Sequence, residues 1–222
     1  MNGAFDFGWL ETGFYALVQG AALTIMLTVA STALGLFISV LGAAARRGQT
    51  VWLRSLVGFY VEAIRNTPFI VQLFIIYFGL PSFGFNISPI AAGILAMTLN
   101  IGAYATEIVA AGLAAIGPGQ REAAQALGLR PRIVFFKVVL PQAMAVIFPA
   151  LASQVVITML DSAVVSQISV RELTMHANLI QSRTFRPFET FLTAAIIYLV
   201  LAIVLRRFLK LCAKRYLGAG LS

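Results

Sequence analysis

Charge is scarce in this 222-residue chain: Asp, Glu, Lys and Arg make up 11% of it, against about a quarter of an average soluble domain. Four stretches, Thr12 to Ala45, Asn66 to Thr106, Val138 to Leu160 and Thr190 to Leu205, contain none of the four. Cysteine is almost missing too. Cys212 stands alone, which excludes an internal disulfide and any cysteine-cluster metal site. His176 is likewise the only histidine and reads as an ordinary loop residue rather than a ligand. A phosphate-cradling G-x-x-x-x-G-K-S/T run is absent, and no nucleophile stands beside a plausible base, so the chain is not expected to be an enzyme.

What is present is hydrophobic. Apolar residues make up 60% of the chain and the mean hydropathy is +0.91, a surface that water would not dissolve. Because about 20 apolar residues cross a bilayer, the charge-free runs predict membrane spans. Five helical spans fit, over 14–44, 55–80, 89–115, 138–165 and 188–209, with Pro81, Gly84, Pro89, Gly117, Pro118 and Gly119 punctuating the turns. The fold class expected is an all-α membrane protein. It divides into an external segment 1–13, a transmembrane domain 14–212 with an internal loop over about 117–141, and a tail 213–222. The first eleven residues hold Asp6 and Glu11 but no Lys or Arg, so they lack the basic start of a signal peptide, and the first span is expected to be retained.

The net charge of +8 does not imply a nucleic-acid partner, because the basic residues are dispersed over the loops. Thirteen of the sixteen Lys and Arg residues, including Arg46, Arg47, Arg121, Arg130 and Lys210, fall on one side of a five-span arrangement. Only Arg171, Arg183 and Arg186 fall on the other. The positive-inside rule then puts the N-terminus out and the C-terminus in. The basic run from Arg206 to Arg215 reads as a topology anchor and a contact for membrane lipid. The segment from Ser166 to Pro187, too polar to cross, reads as an external loop or helix pair.

The internal loop carries the strongest pattern: Glu122, Ala123 and Ala124, then Gly128 after three residues, then Val138, Leu140 and Pro141 after nine more. Glu122 to Leu127 favours a short helix that Gly128 can end, since glycine adopts the left-handed cap without a Cβ penalty. The spacing resembles the EAA loop of ABC importer permeases, with Val138 in place of the usual isoleucine. The resemblance extends along most of the chain and narrows to the histidine, glutamine and polar amino acid branch. Arg65, Asn66, Thr67 and Pro68 followed by Gln72 look like its R-N-T-P segment. Leu99, Asn100, Gly102, Ala103, Tyr104, Glu107 and Ile108 look like its L-N-x-G-A-Y-x-x-E-I helix. Ser162, Val164, Ser166, Glu172 and Leu173 match a further run more loosely, with Ala163 and Leu160 departing from it.

The resemblance implies a type I importer fold. In it Glu122, Ala123, Ala124, Gly128, Leu140 and Pro141 form or support a cytoplasmic coupling helix that docks on an ATPase. It implies a bacterial inner-membrane location, a second permease chain (identical or homologous), two ABC ATPase subunits and an external solute-binding protein. ATP and Mg would be held by the ATPase, with no cofactor on this chain.

Polar side chains are costly inside a bilayer and default to pathway candidates. At helical spacing Gln154, Thr158 and Asp161, with Ser162 beside them, form one polar stripe. Asn100, Tyr104 and Glu107 form another. The two stripes are expected to face each other across the solute path, Asp161 attracting an ammonium group or a cationic side chain; similar permeases place substrate contacts at positions matching Gln154 and Asp161. The alternatives place Asp161 at the external headgroup level and have Glu107 pair with Arg65 or stabilise a helix end. Two other classes stay open at this point. An ion-gradient carrier or channel would take up solute without an ATPase, and a non-transporting membrane anchor would show no solute-stimulated ATP hydrolysis.

Overall fold

The computed structural model describes residues 7–217. Asp6 and the outer parts of the segments 1–13 and 213–222 lie outside the described residues. Helix α1 (Leu10–Arg47) runs unbroken for 38 residues, about 57 Å at 1.5 Å per residue, so it exceeds the roughly 30 Å hydrocarbon layer at one or both ends. It lies against α4 (Pro89–Ala114) in parallel. The contact is close because Gly35 and Gly42 carry no side chain. A Cβ on Gly35 would stand 2.3 Å from Ile101, and one on Gly42 would stand 2.7 Å from the hydroxyl of Thr106.

The second span differs from expectation. The continuous helix predicted over 55–80 is two helices, α2 (Val51–Arg65) and α3 (Phe69–Ser82), bent by 111°. Pro68 supplies the reason. It has no N–H to donate, and its ring pushes Thr67 out of the helical region. The exposed end of α2 is closed by its own side chains: Asn66 Nδ2 donates to the Glu62 carbonyl at 2.8 Å and Thr67 Oγ1 to the Ala63 carbonyl at 2.8 Å.

After α4 the chain makes a short helix, α5 (Pro118–Ala126), then climbs back as one rod. The rod begins as α6 (Pro131–Ile133), widens into a π-helical turn over Val134–Val139 and continues as α7 (Leu140–Val165). The widened turn immediately precedes Pro141, whose missing N–H and bulky ring would break a regular α-helical ladder. Gly93 of α4 faces Val165 of α7, and Gly112 faces Ile147, so α4 and α7 are antiparallel.

Past Val165 a 3-10 turn over Ser166–Ile168 leads to α8 (Leu173–Thr184), and α9 (Pro187–Leu217) completes the described chain. His176, expected in a loop, lies on α8, which packs across the start of α1; a Cβ on Gly20 would fall 2.8 Å from the Leu173 Cα. Among the described residues four helices are long and apolar enough to cross a membrane, and the bent pair, counted as one span, makes a fifth. Many large apolar side chains along them are exposed, among them Phe37, Val40, Phe59, Ile75 and Leu199, as a lipid-facing surface requires.

Candidate functional site

Two features stand out, a knob at the basic end and a polar spine at mid-depth. The knob is α5. Pro118 occupies its first turn, where no N–H is needed. At its other end Gly128 adopts φ +74°, and two bonds close it: Gly128 N–H to the Gln125 carbonyl at 2.9 Å and Leu129 N–H to the Ala124 carbonyl at 3.2 Å. This is the Schellman pattern that the glycine predicts. Glu122, Ala123 and Leu127 are exposed, Leu127 by 80%. Ala124 is buried in one cluster with Leu113, Val134, Val139 and Ile147, so its small size lets the knob pack against the spans. Leu140 is half-buried and Pro141 exposed, behind the knob.

The antiparallel register of α4 and α7 puts Asn100 level with Thr158 and Tyr104 level with Gln154. The stripes therefore share a depth, but no hydrogen bond joins their side chains. Asn100 is buried and donates through Nδ2 to Gln72 Oε1 of α3 at 3.0 Å. Gln72 in turn donates through Nε2 to the carbonyls of Ile64 and Thr67 at 2.7 and 2.9 Å. The Asn100–Gln72 pair thus satisfies the backbone at the break in the second span. Gln72 is the residue whose role sequence reasoning missed, although it belongs to the quoted segment; its partner is 28 positions away.

Thr158 and Ser162 are also buried, and their hydroxyls donate to carbonyls of their own helix, Gln154 and Met159, at 3.0 and 2.7 Å. Within this chain neither hydroxyl is accessible, and Gln154 of the same stripe is buried as well. Glu107 is neutralised: Arg46 donates to its carboxylate, and Arg65 approaches the same oxygen at 3.6 Å. The Arg65 guanidinium also stands 5.7 Å from the Tyr104 ring centroid. Glu107 therefore ties α1, α2 and α4 together; Arg65 is the partner its alternative reading named, and the closer Arg46 is one it did not. Asp161 contrasts with it. It is half-buried on a membrane-crossing helix and has no ion pair or hydrogen bond to any described residue. Among the described residues no group of three or more His, Cys, Asp or Glu side chains converges as a metal site.

A helical wall long enough to span the membrane, with an unpaired, half-buried acid on one spanning helix and a knob at its basic end, is built as the membrane component of a transporter driven from outside the bilayer. The chain belongs to the family described as "Binding-protein-dependent transport system inner membrane component", whose pattern matches residues 31–218. It is therefore a multi-pass inner-membrane permease component and not the catalytic subunit of its system. It is 34% identical to the L-cystine transport system permease protein of Bacillus subtilis over 198 residues, 88% of this chain and 85% of that one. An octopine transport system permease protein of Rhizobium meliloti is 33% identical over 93% of this chain and 88% of its own length. Among solved structures, an amino acid ABC transporter crystallised with histidines matches with a TM-score of 0.88 and 35% identity, covering 96% of this chain and 99% of that one.

Proposed function

We propose that this chain forms one wall of the solute path in an ATP-driven importer of polar amino acids, with cationic amino acids or opines as the favoured cargo. The knob carries the reading. An exposed helix held rigidly by Gly128 presents Glu122, Ala123 and Leu127 to a partner at the basic end. A second permease chain closes the path, since one layer of five spans is a wall and not a tube. Two ATPase subunits hold ATP and Mg and move the knobs, and an external solute-binding protein delivers the cargo. In this reading the chain itself binds no cofactor. The N-terminus lies outside and the basic end in the cytosol. The unpaired carboxylate of Asp161 attracts the solute's ammonium or cationic side chain, while the buried Gln154 and Asn100, with Tyr104, hold the packed walls in place. The relatives named for cystine and octopine transport support an amino acid or amino acid conjugate as cargo.

The test is reconstitution of the permease with its natural ATPase and binding protein in vesicles, with ATP turnover measured against a panel of amino acids. A polar, cationic member should stimulate hydrolysis. Asp161→Asn should reduce that stimulation by about tenfold, as loss of one desolvated charge pair implies, with basal hydrolysis retained. Uptake that persists after the ATPase is removed would sink the reading.

A further inference from the structure

Beside the knob lies an apolar cleft that neither the polar spine nor the coupling contact uses. It encloses about 740 Å³, and its walls include Leu36 and Val40 of α1, Leu113 of α4, Phe135 of the π-helical turn, and Met144 and Leu151 of α7. Arg47, at the end of α1, and Arg121, in α5, line it at the basic end. A second cavity of about 370 Å³ shares both arginines, Leu113 and Gln125 with it and adds Glu122. Neither Arg47 nor Arg121 has an ion pair or hydrogen bond to any described residue.

The dimensions identify the occupant. From Leu36 to Arg47 the cleft follows eleven residues of α1, about 16 Å of rise, and half of the bilayer's hydrocarbon layer is about 15 Å. The cleft thus runs from the basic surface to mid-membrane, apolar along its length and charged only at the surface end. An acyl chain fits the first part and a phosphate the second, where two guanidinium forks can share its oxygens. A helix from a second copy would fill the apolar part but leave both arginines unpaired. Two guanidinium groups against the single carboxylate of Glu122 leave a net positive mouth, which selects a headgroup with net negative charge.

We propose that this cleft is a binding site for one anionic phospholipid of the inner leaflet, its tail between α1, α4 and α7 and its phosphate held by Arg47 and Arg121. Because Arg121 belongs to α5 and Arg47 to the end of α1, the bound lipid braces the knob against the span. The position of the coupling helix then depends on the anionic lipid content of the membrane.

The permease–ATPase complex, equilibrated with phosphatidylglycerol or phosphatidylethanolamine and analysed by native mass spectrometry, reports lipids retained per intact assembly, so unfolded material does not count. Wild type should retain phosphatidylglycerol in preference. Two variants should each lower that retention by about tenfold: Val40→Trp, which fills the cleft and spares the arginines, and Arg47→Gln with Arg121→Gln, which spares the cleft. Arg206→Gln with Arg207→Gln, on the far part of the basic belt, should leave it unchanged. The proposal is overturned if both test variants retain the lipid, if the Arg206 and Arg207 pair loses it equally, or if phosphatidylethanolamine is held as well. It also fails if Val40→Cys in a Cys212→Ser background cross-links two copies, since a second chain would then occupy the cleft.

Discussion

Glu172 has no exposed surface, yet its carboxylate faces three donors from three elements. Tyr198 of α9 donates to Oε2 at 2.6 Å, Thr24 of α1 approaches the same oxygen at 3.5 Å, and Met175 N–H donates to Oε1 at 2.8 Å, capping α8. Burial raises its pKa above the ordinary 4.5, and the bonds from Tyr198, the backbone of Thr174 and Met175, and Thr24 offset part of the rise. A carboxyl whose folded pKa lies above its unfolded value stabilises the fold most fully below 4.5 and loses that contribution as pH climbs through the raised value. Thermal unfolding in detergent should therefore show wild type losing stability relative to Glu172→Gln as pH rises from 4.5. A difference that does not vary with pH would contradict this. Sequence reading reached Glu172 only as part of a loosely matched run, because Thr24 and Tyr198 lie 148 and 26 positions away. It did better where the information was local. Gly128 ending a short helix needed only the six residues before it, whereas the fates of Thr158 and Ser162 depended on which face of α7 packs inward.

Among the elements, the long runs were legible because α1, α4, α7 and α9 each exceed the bilayer's needs and tolerate errors at their ends. The break at Asn66–Pro68 was not. Charge does change there, with Glu62 and Arg65 before the break and none after it, but a polar helix end and an apolar one can belong to a single rod, and only the backbone chemistry of Pro68 interrupts this one. The widened turn before Pro141 escaped for the same reason. The pairing of α1 with α8 is a property of two elements distant in sequence, and Gly20 sets its spacing. Gly20→Val should force α8 away from α1, since the added carbon meets the Leu173 backbone rather than a yielding side-chain tip. The expected cost is about 1–3 kcal/mol, read as a lowered thermal midpoint. Gly58→Ala, which meets open space, should show no such loss.

At the scale of the whole molecule, the proposed orientation can be checked with the native chain, because Cys212 is its only thiol and lies near the basic end of α9. A membrane-impermeant maleimide should label it in inverted vesicles and not in intact cells. In a Cys212→Ser background, Phe83→Cys, at the far end of α3, should show the reverse. Labelling of Cys212 from outside would invert the assignment of both ends. The overall architecture was readable because solvent sorts whole helices by hydropathy, while the interior arrangement depends on pairings that no single stretch contains.

The bent second span has an electrical consequence. Helix α3 has 14 residues, about 21 Å of length, well short of the roughly 30 Å insulating layer. Below it the backbone is irregular, and Arg65 and Glu107 keep 42% and 35% of their side-chain surface exposed. Exposed charge and irregular backbone persist at membrane depth only against protein or water, so lipid should not close over this end of α3. A charge carried past it exchanges about 2.3 kcal/mol for every 100 mV of potential it crosses.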